Sequence, residues 1–114
     1  MVQPPARGEV WLAQLDPARG HEQAGTRPCL VLSSDAFNRG PAGLVVIVPL
    51  TTRNRRIPLH VAVEPAESGL SATSFIRCDN LRAVARERLT KRLGQVPADA
   101  IARVEDRVRV LLEL

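Results

Sequence analysis

The side chains able to bind an anion or move a proton gather in three stretches of this 114-residue chain. The first is the polar loop Asp16-Pro17-Ala18-Arg19-Gly20-His21-Glu22-Gln23-Ala24-Gly25-Thr26-Arg27-Pro28, set between two short apolar runs. The second is Thr51, which closes the apolar run 44–50 and is followed at once by Thr52-Arg53-Asn54-Arg55-Arg56. The third is Arg77-Cys78-Asp79-Asn80. A guanidinium offers a planar fork for phosphate oxygens, and a threonine hydroxyl can donate to the same oxygens. An imidazole, with a reference pKa of about 6.5, exchanges protons at neutral pH. A carboxylate does so only where burial raises its pKa.

Each group also has a plainer reading. Arg27 precedes Pro28, whose ring fixes the chain entering the next strand, so its guanidinium is carried on a rigid element. Alternatively it is a surface arginine in an ion pair. Thr51 either presents its hydroxyl at the mouth of a strand or caps the local backbone. Arg77 and Asp79 are two apart in an extended run, which points both to one face, opposite Ile76 and Cys78. Such a pair shares a proton-transfer task or simply neutralises itself. Arg53, Arg55 and Arg56 suit a phosphate-tracking patch, or keep a loop soluble.

The elements that must position these groups are short strands. Apolar, β-rich runs occur at 10–15, 29–32, 44–50, 59–63 and 74–78, with a shorter one at 93–96. Turn-forming clusters separate them, at 39–43 and 64–69 among others. Several short strands argue a small barrel, because closure removes the unpaired edges that invite aggregation. Run 44–50 is apolar without alternation, as a strand buried on both faces would be. In 59–63, Leu59, Val61 and Val63 alternate with His60 and Ala62, so this strand is expected to be half exposed with His60 facing water. From Ala98 onward the period becomes helical: Ile101, Val104, Val108, Leu111 and Leu112 form one stripe, to be packed on the barrel or on a partner. Asp99, just after Pro97, is the expected N-cap. Segments 34–38 and 79–89 are expected to hold short helical turns. The fold class is therefore mainly β with added helices (α+β).

Composition adds bounds. The length suits one domain spanning 1–114, with 1–6 expected to be flexible. Sixteen basic residues oppose twelve acidic ones, net +4, and every basic residue except Lys91 is arginine. An arginine-weighted excess suits a nucleic-acid surface, although a GC-rich genome produces the same bias. No run is long enough to span a bilayer and no charged-then-apolar leader opens the chain, so a cytoplasmic location without membrane attachment is expected. Cys29 and Cys78 lack any C-x-x-C spacing and read as buried thiols, so neither a metal nor another cofactor is expected. Aromatics are limited to Trp11, Phe37 and Phe75. Trp11 reads as core, which leaves Phe37 and Phe75 as stacking candidates and excludes an aromatic platform of the RNA-recognition-motif kind.

The strings RGEVWLAQLDP and GHEQAGTRPCLVL in the first thirty-two residues resemble the opening of the MazF/PemK toxins of bacterial toxin–antitoxin pairs. FNR at 37–39, VIVPLT at 46–51 and RCDN at 77–80 follow in the same order and spacing, so the resemblance runs from Arg7 to the C-terminal helix. It implies an SH3-like barrel and a metal-independent endoribonuclease that cuts single-stranded mRNA at a short motif. In such a cut a base takes the 2′-OH proton, an acid protonates the departing 5′ oxygen and donors stabilise the phosphorane. The products carry 2′,3′-cyclic phosphate and 5′-hydroxyl ends.

Within the resemblance, Arg27 and Thr51 match the catalytic pair proposed for the MazF branch. Asp79 and Arg77 match the base and acid proposed for the PemK branch, with His21 assisting, and the GHEQ and RCD forms lean toward that branch. An arginine is a poor general base, so Asp79 or His21 is preferred as base, with Arg27 and Thr51 stabilising the phosphorane. Glu22, Gln23, Arg53, Arg55, Arg56 and Asn80 are the RNA-binding candidates; Asn80 stands where the family usually places Gln. The resemblance further implies a homodimer with RNA along the groove between subunits. It also implies a cognate MazE/PemI-like antitoxin whose acidic C-terminal segment, initially disordered, folds onto that groove. Two alternatives stand beside it: a gyrase-directed, CcdB-like toxin on the same barrel, and a catalytically inactive RNA-binding relative.

Overall fold

A computed structural model describes residues 3–16, 20 and 25–114. Its strands are β1 (Glu9–Gln14), β2 (Thr26–Val31), β3 (Leu44–Thr51), β4 (His60–Val63), β5 (Ser74–Arg77), β6 (Arg82–Ala85) and β7 (Leu89–Gln95). Short helices α1 (Asp35–Asn38) and α2 (Pro65–Ser68) interrupt them, and α3 (Ala98–Leu112) closes the chain. All pairings are antiparallel, in the order β4-β5-β3-β2-β1-β7, with β6 also paired to β3.

β3 is the axis of the sheet. One edge pairs with β2, while its first half takes β6 and its last two residues take β5 on the other edge. Val45, Ile47, Val48 and Leu50 are all buried, as the unbroken apolar run predicts. The period of two sorts the buried residues into two clusters. Val10, Leu30, Val48, Leu50, Val61, Val63 and Ile76 meet Val96, Ala100 and Val104. Trp11, Ala13, Cys29, Val31, Val45, Ile47, Val84 and Leu89 form the second. Each fully buried aliphatic side chain contributes about 1.5–3 kcal/mol, so both faces of the curved sheet hold it together.

The hydrogen-bonded ladder does not close into a ring among the described residues. The one-turn helix α2, which follows β4, instead packs against β7 and bridges the two end strands. Gly69, left-handed at φ 77°, ends α2 against Gly94, where a Cβ would lie 2.4 Å from the Ser68 carbonyl oxygen. Only glycine at 94 permits this approach.

Three expectations need correction. Strand β6 lies inside the stretch expected to be helical turns; its pairing with β3 supplies the order that Arg82-Ala83-Val84-Ala85 does not announce, and 3-10 turns flank it at Cys78–Asn80 and Arg86–Arg88. β7 is longer than the run 93–96, because pairing with β1 carries its exposed Thr90, Lys91 and Arg92. Asp99 is not the N-cap: Pro97 is, two residues earlier, its carbonyl accepting from the Ala100 and Ile101 N–H groups. Asp99 sits in the first turn, 3.8 Å from Arg103. The apolar stripe packs through Ala100, Ile101, Val104 and Val108, then emerges at the exposed Leu111 and Leu112. No helix among the described residues is long and apolar enough to cross a membrane.

Candidate active site

Strand register brings residues of all three chemically capable stretches to one face. β2 and β3 pair through Cys29–Pro49, Leu30–Val48 and Val31–Ile47. Two residues further out Arg27 reaches the level of Thr51, and both line a pocket of about 180 Å³ with Pro28, Thr52, Ser71 and Ser74. Thr51 in turn lies opposite Phe75 of β5. Arg77, two residues on, projects from the same face one row away and faces His60 of β4. Direct cross-strand neighbours have Cβ atoms about 4.5–5.5 Å apart, and diagonal ones about 7–8 Å. Arg27, Thr51, Phe75, Arg77 and His60 therefore occupy two adjoining rows of one sheet face.

Local turns set the loop beyond Thr51. Its hydroxyl oxygen accepts from the Arg53 N–H at 3.2 Å, and Asn54 Oδ1 accepts from the Arg56 N–H at 2.9 Å. Thr51 thus does cap the backbone, yet its hydroxyl proton remains able to donate into the pocket. Arg56 takes the left-handed conformation (φ 55°), and Arg53, Arg55 and Arg56 are all exposed. The charge of Arg55 acts on Arg77. Arg77 is only 5% exposed; burial lowers its pKa from the ordinary value, Asp79 opposes that shift and Arg55 adds to it.

Asp79 and His60 depart from the sequence-based expectation. β5 ends at Arg77, and Cys78–Asn80 form a 3-10 turn, so Asp79 does not continue the strand beside Arg77. The turn carries its carboxylate onto the neighbouring strand, where Oδ1 lies 2.7 Å from His60 Nε2. His60 does not face water: its side chain is 3% exposed and that of Asp79 27%. Alternation correctly assigned His60 to the face opposite Val61, but that face is covered here. Nothing in the sequence signals the pairing, because its partners are nineteen residues apart. Asn80 closes the same turn, half buried.

His21, Glu22 and Gln23 lie outside the described residues. The ends of their loop are tied together: the Leu15 N–H donates to the Gly25 carbonyl at 2.9 Å, and the Gly25 N–H to Asp16 Oδ1 at 3.0 Å. Arg88 donates to the carbonyls of Gln14 and Asp16, holding this base to the Arg86–Arg88 turn. Arg88 is a positioning group with no sequence signature of its own.

The remaining singled-out residues are structural or distant. Asn38 of the FNR string is fully buried; its Nδ2 donates to the Ser33 carbonyl at 3.1 Å. Phe37 is exposed on α1, on elements other than those bearing the pocket. Trp11 is core, its indole N–H donating to Glu9 Oε1 at 3.0 Å. Cys29 and Cys78 are free, buried in separate clusters, and burial pushes both thiols up to about 12. Thiols so far from ionisation are not nucleophiles.

A family model described as the PemK-like, MazF-like toxin of type II toxin–antitoxin systems matches residues 6–112. This chain belongs to that toxin family. It is 41% identical over 108 residues to Endoribonuclease PemK of Escherichia coli, covering 93% of this chain and 80% of that one. Its fold is similar to the crystal structure of MazF from Deinococcus radiodurans, with a TM-score of 0.87, 32% identity and coverage of 99% and 100%. It is also similar to a mycobacterial endoribonuclease in complex with its cognate antitoxin, with a TM-score of 0.80, 30% identity and 96% coverage of each chain.

For a PemK-like toxin the face has usable chemistry. It is cationic through Arg27, Arg77 and the 53–56 loop, carries the Thr51 hydroxyl and the half-buried Phe75 ring, and is flanked by a carboxylate–imidazole pair. Among the described residues no three His, Cys, Asp or Glu side chains gather as metal ligands would.

Proposed function

We propose that this chain is the toxin of a type II toxin–antitoxin pair and an endoribonuclease acting on single-stranded RNA at a short sequence motif. The observation that carries this reading is the convergence of Arg27 and Thr51 on one pocket, with Arg77 one row away, in a chain 41% identical to a named endoribonuclease. The gyrase-directed and inactive alternatives draw no support from these relatives.

The arrangement suits scission at a phosphodiester without a bound metal. Arg27 and the Thr51 hydroxyl receive the non-bridging oxygens, where charge accumulates in the phosphorane. Asp79, whose carboxylate would be desolvated by bound RNA, takes the proton of the 2′-OH, the 2′ oxygen attacks phosphorus, and the bond to the 5′ oxygen breaks. The proton that the 5′ oxygen needs comes from His21, or from Arg77, whose pKa burial lowers. The products are a 2′,3′-cyclic phosphate and a 5′-hydroxyl. Phe75, half buried opposite Thr51, offers a stacking surface for a neighbouring base, and Arg53, Arg55 and Arg56 track the backbone. Glu22, Gln23 and Asn80 are the candidates for reading base edges.

The relative solved with its cognate antitoxin supports an antitoxin partner for this chain, and the reading has that partner cover the cationic face. An acidic, initially disordered segment has the chemistry to do so. The reading includes a homodimer working in the cytoplasm, with RNA along the groove between subunits. The direct test incubates the antitoxin-free protein with a long mixed-sequence RNA in EDTA and maps the ends. Discrete cuts at a repeated motif, lost in Arg27→Ala, are expected; intact RNA from folded protein would refute the reading.

A further inference from the structure

We infer that His60 is a positioning residue that holds the Asp79 carboxylate in place for proton transfer. The inference deepens the reading of Asp79 as general base and rests on it. Asp79 lies at the surface in a three-residue turn, where an unanchored carboxylate samples several rotamers. The 2.7 Å contact from His60 Nε2 to Oδ1 selects one of them. His60 can act as an anchor because it is itself fixed. It opens β4 opposite Arg77, its backbone N–H donates to the Ile57 carbonyl at 2.9 Å, and its side chain is 3% exposed.

The other ring nitrogen decides the direction of the hydrogen bond. Nδ1 is buried and has no hydrogen-bond partner among the described residues. Placing the proton there would bury an unsatisfied donor and turn a bare Nε2 toward a carboxylate oxygen. The proton therefore sits on Nε2 and is donated to Asp79. One carboxylate oxygen is occupied in this way, while the side chain as a whole remains 27% exposed and so within reach of a substrate hydroxyl. His60 acts through Asp79, because its Nε2 is taken up by that carboxylate and its Nδ1 is buried, as the orienting third member of a nucleophile–base array does.

The test compares single-turnover RNA cleavage by wild type, His60→Ala, His60→Gln and Asp79→Asn, with thermal unfolding of each and ring nitrogen NMR of the wild type. A glutamine amide can place a donor near the position of Nε2. The expected result is a fall in maximal rate of about 10- to 100-fold for His60→Ala, RNA affinity unchanged, most of the rate restored in His60→Gln, and a spectrum with Nε2 protonated. Wild-type rate in His60→Ala beside an inactive Asp79→Asn would overturn the inference while leaving Asp79 as base. An active Asp79→Asn would overturn the base assignment and the inference together. If His60→Ala fails to fold, His60→Gln and the spectrum decide: a proton on Nδ1, or no recovery in stable His60→Gln protein, also overturns it.

Discussion

The Arg27–Thr51 pocket and the Arg77–Asp79–His60 cluster occupy adjoining rows of one sheet face, yet they are built differently. Arg27 is exposed and Thr51 half exposed; each reaches its place because a strand ends there, and neither belongs to the packed core. Arg77 and His60 are buried side chains whose charge and hydrogen bonds must be matched by neighbours. In the first region a side chain should be removable at little cost to stability. In the second, function and stability are coupled, because a buried polar group left alone costs the full desolvation penalty.

The largest test of that contrast is Arg27→Ala. Cleavage should fall by about 10²–10³-fold, while thermal unfolding stays at the wild-type temperature, since changes at exposed sites stay within about 0.5 kcal/mol. A large loss of stability would erase the distinction between the regions. Arg77→Ala should instead lose both properties: cleavage drops steeply, and denaturant unfolding reports a loss of about 1.5–3 kcal/mol for a hydrogen-bonding charged group taken from a nearly buried position. An Arg77→Ala protein as stable as wild type would put the two rows on the same footing.

Phe75→Ala sharpens the comparison from the RNA side. Base stacking on an aromatic ring is worth about 1–3 kcal/mol, so binding of a non-cleavable RNA analogue should weaken about tenfold with the bound-state rate little changed. An equal fall in rate would make Phe75 part of the positioning cluster instead. The smallest effect is expected at Glu9, which belongs to neither region. Burial opposes its ionisation, but donation from Trp11, the Ala6 N–H and Arg92 outweighs this and leaves its pKa lowered. A carboxylate with a lowered folded pKa stabilises above its unfolded pKa, and that contribution is lost as pH falls through the folded value. Glu9→Gln should therefore unfold at lower denaturant concentration at neutral pH, with the gap to wild type shrinking below pH 4.5, and should cleave RNA at the wild-type rate.

Local pattern went far for some elements and failed for others. The unbroken apolar run of β3 announced a buried central strand, and the 3.6-residue stripe announced α3, because in both the side chains themselves carry the burial. β6 and the exposed part of β7 carried no such signal; their order comes from the strands they pair with. For the site, Arg27, Thr51, Arg77 and Asp79 could be singled out by type and position. Their mutual placement could not, since it depends on register across β2, β3 and β5. His60 was legible as a residue of the face opposite the core, and illegible as the partner of Asp79.

By itself the sequence determined which residues bear charge, hydroxyl and imidazole, which runs must be buried, and that the motifs are those of the MazF/PemK toxins. Those are properties of side-chain chemistry and short-range periodicity, which a chain displays without folding. Only the tertiary structure decided that β5 stops at Arg77, that the following turn swings Asp79 onto His60, and that α2 and Gly94 join the ends of an open ladder. Each is an interaction between segments distant along the chain, chosen by the packing of the whole sheet.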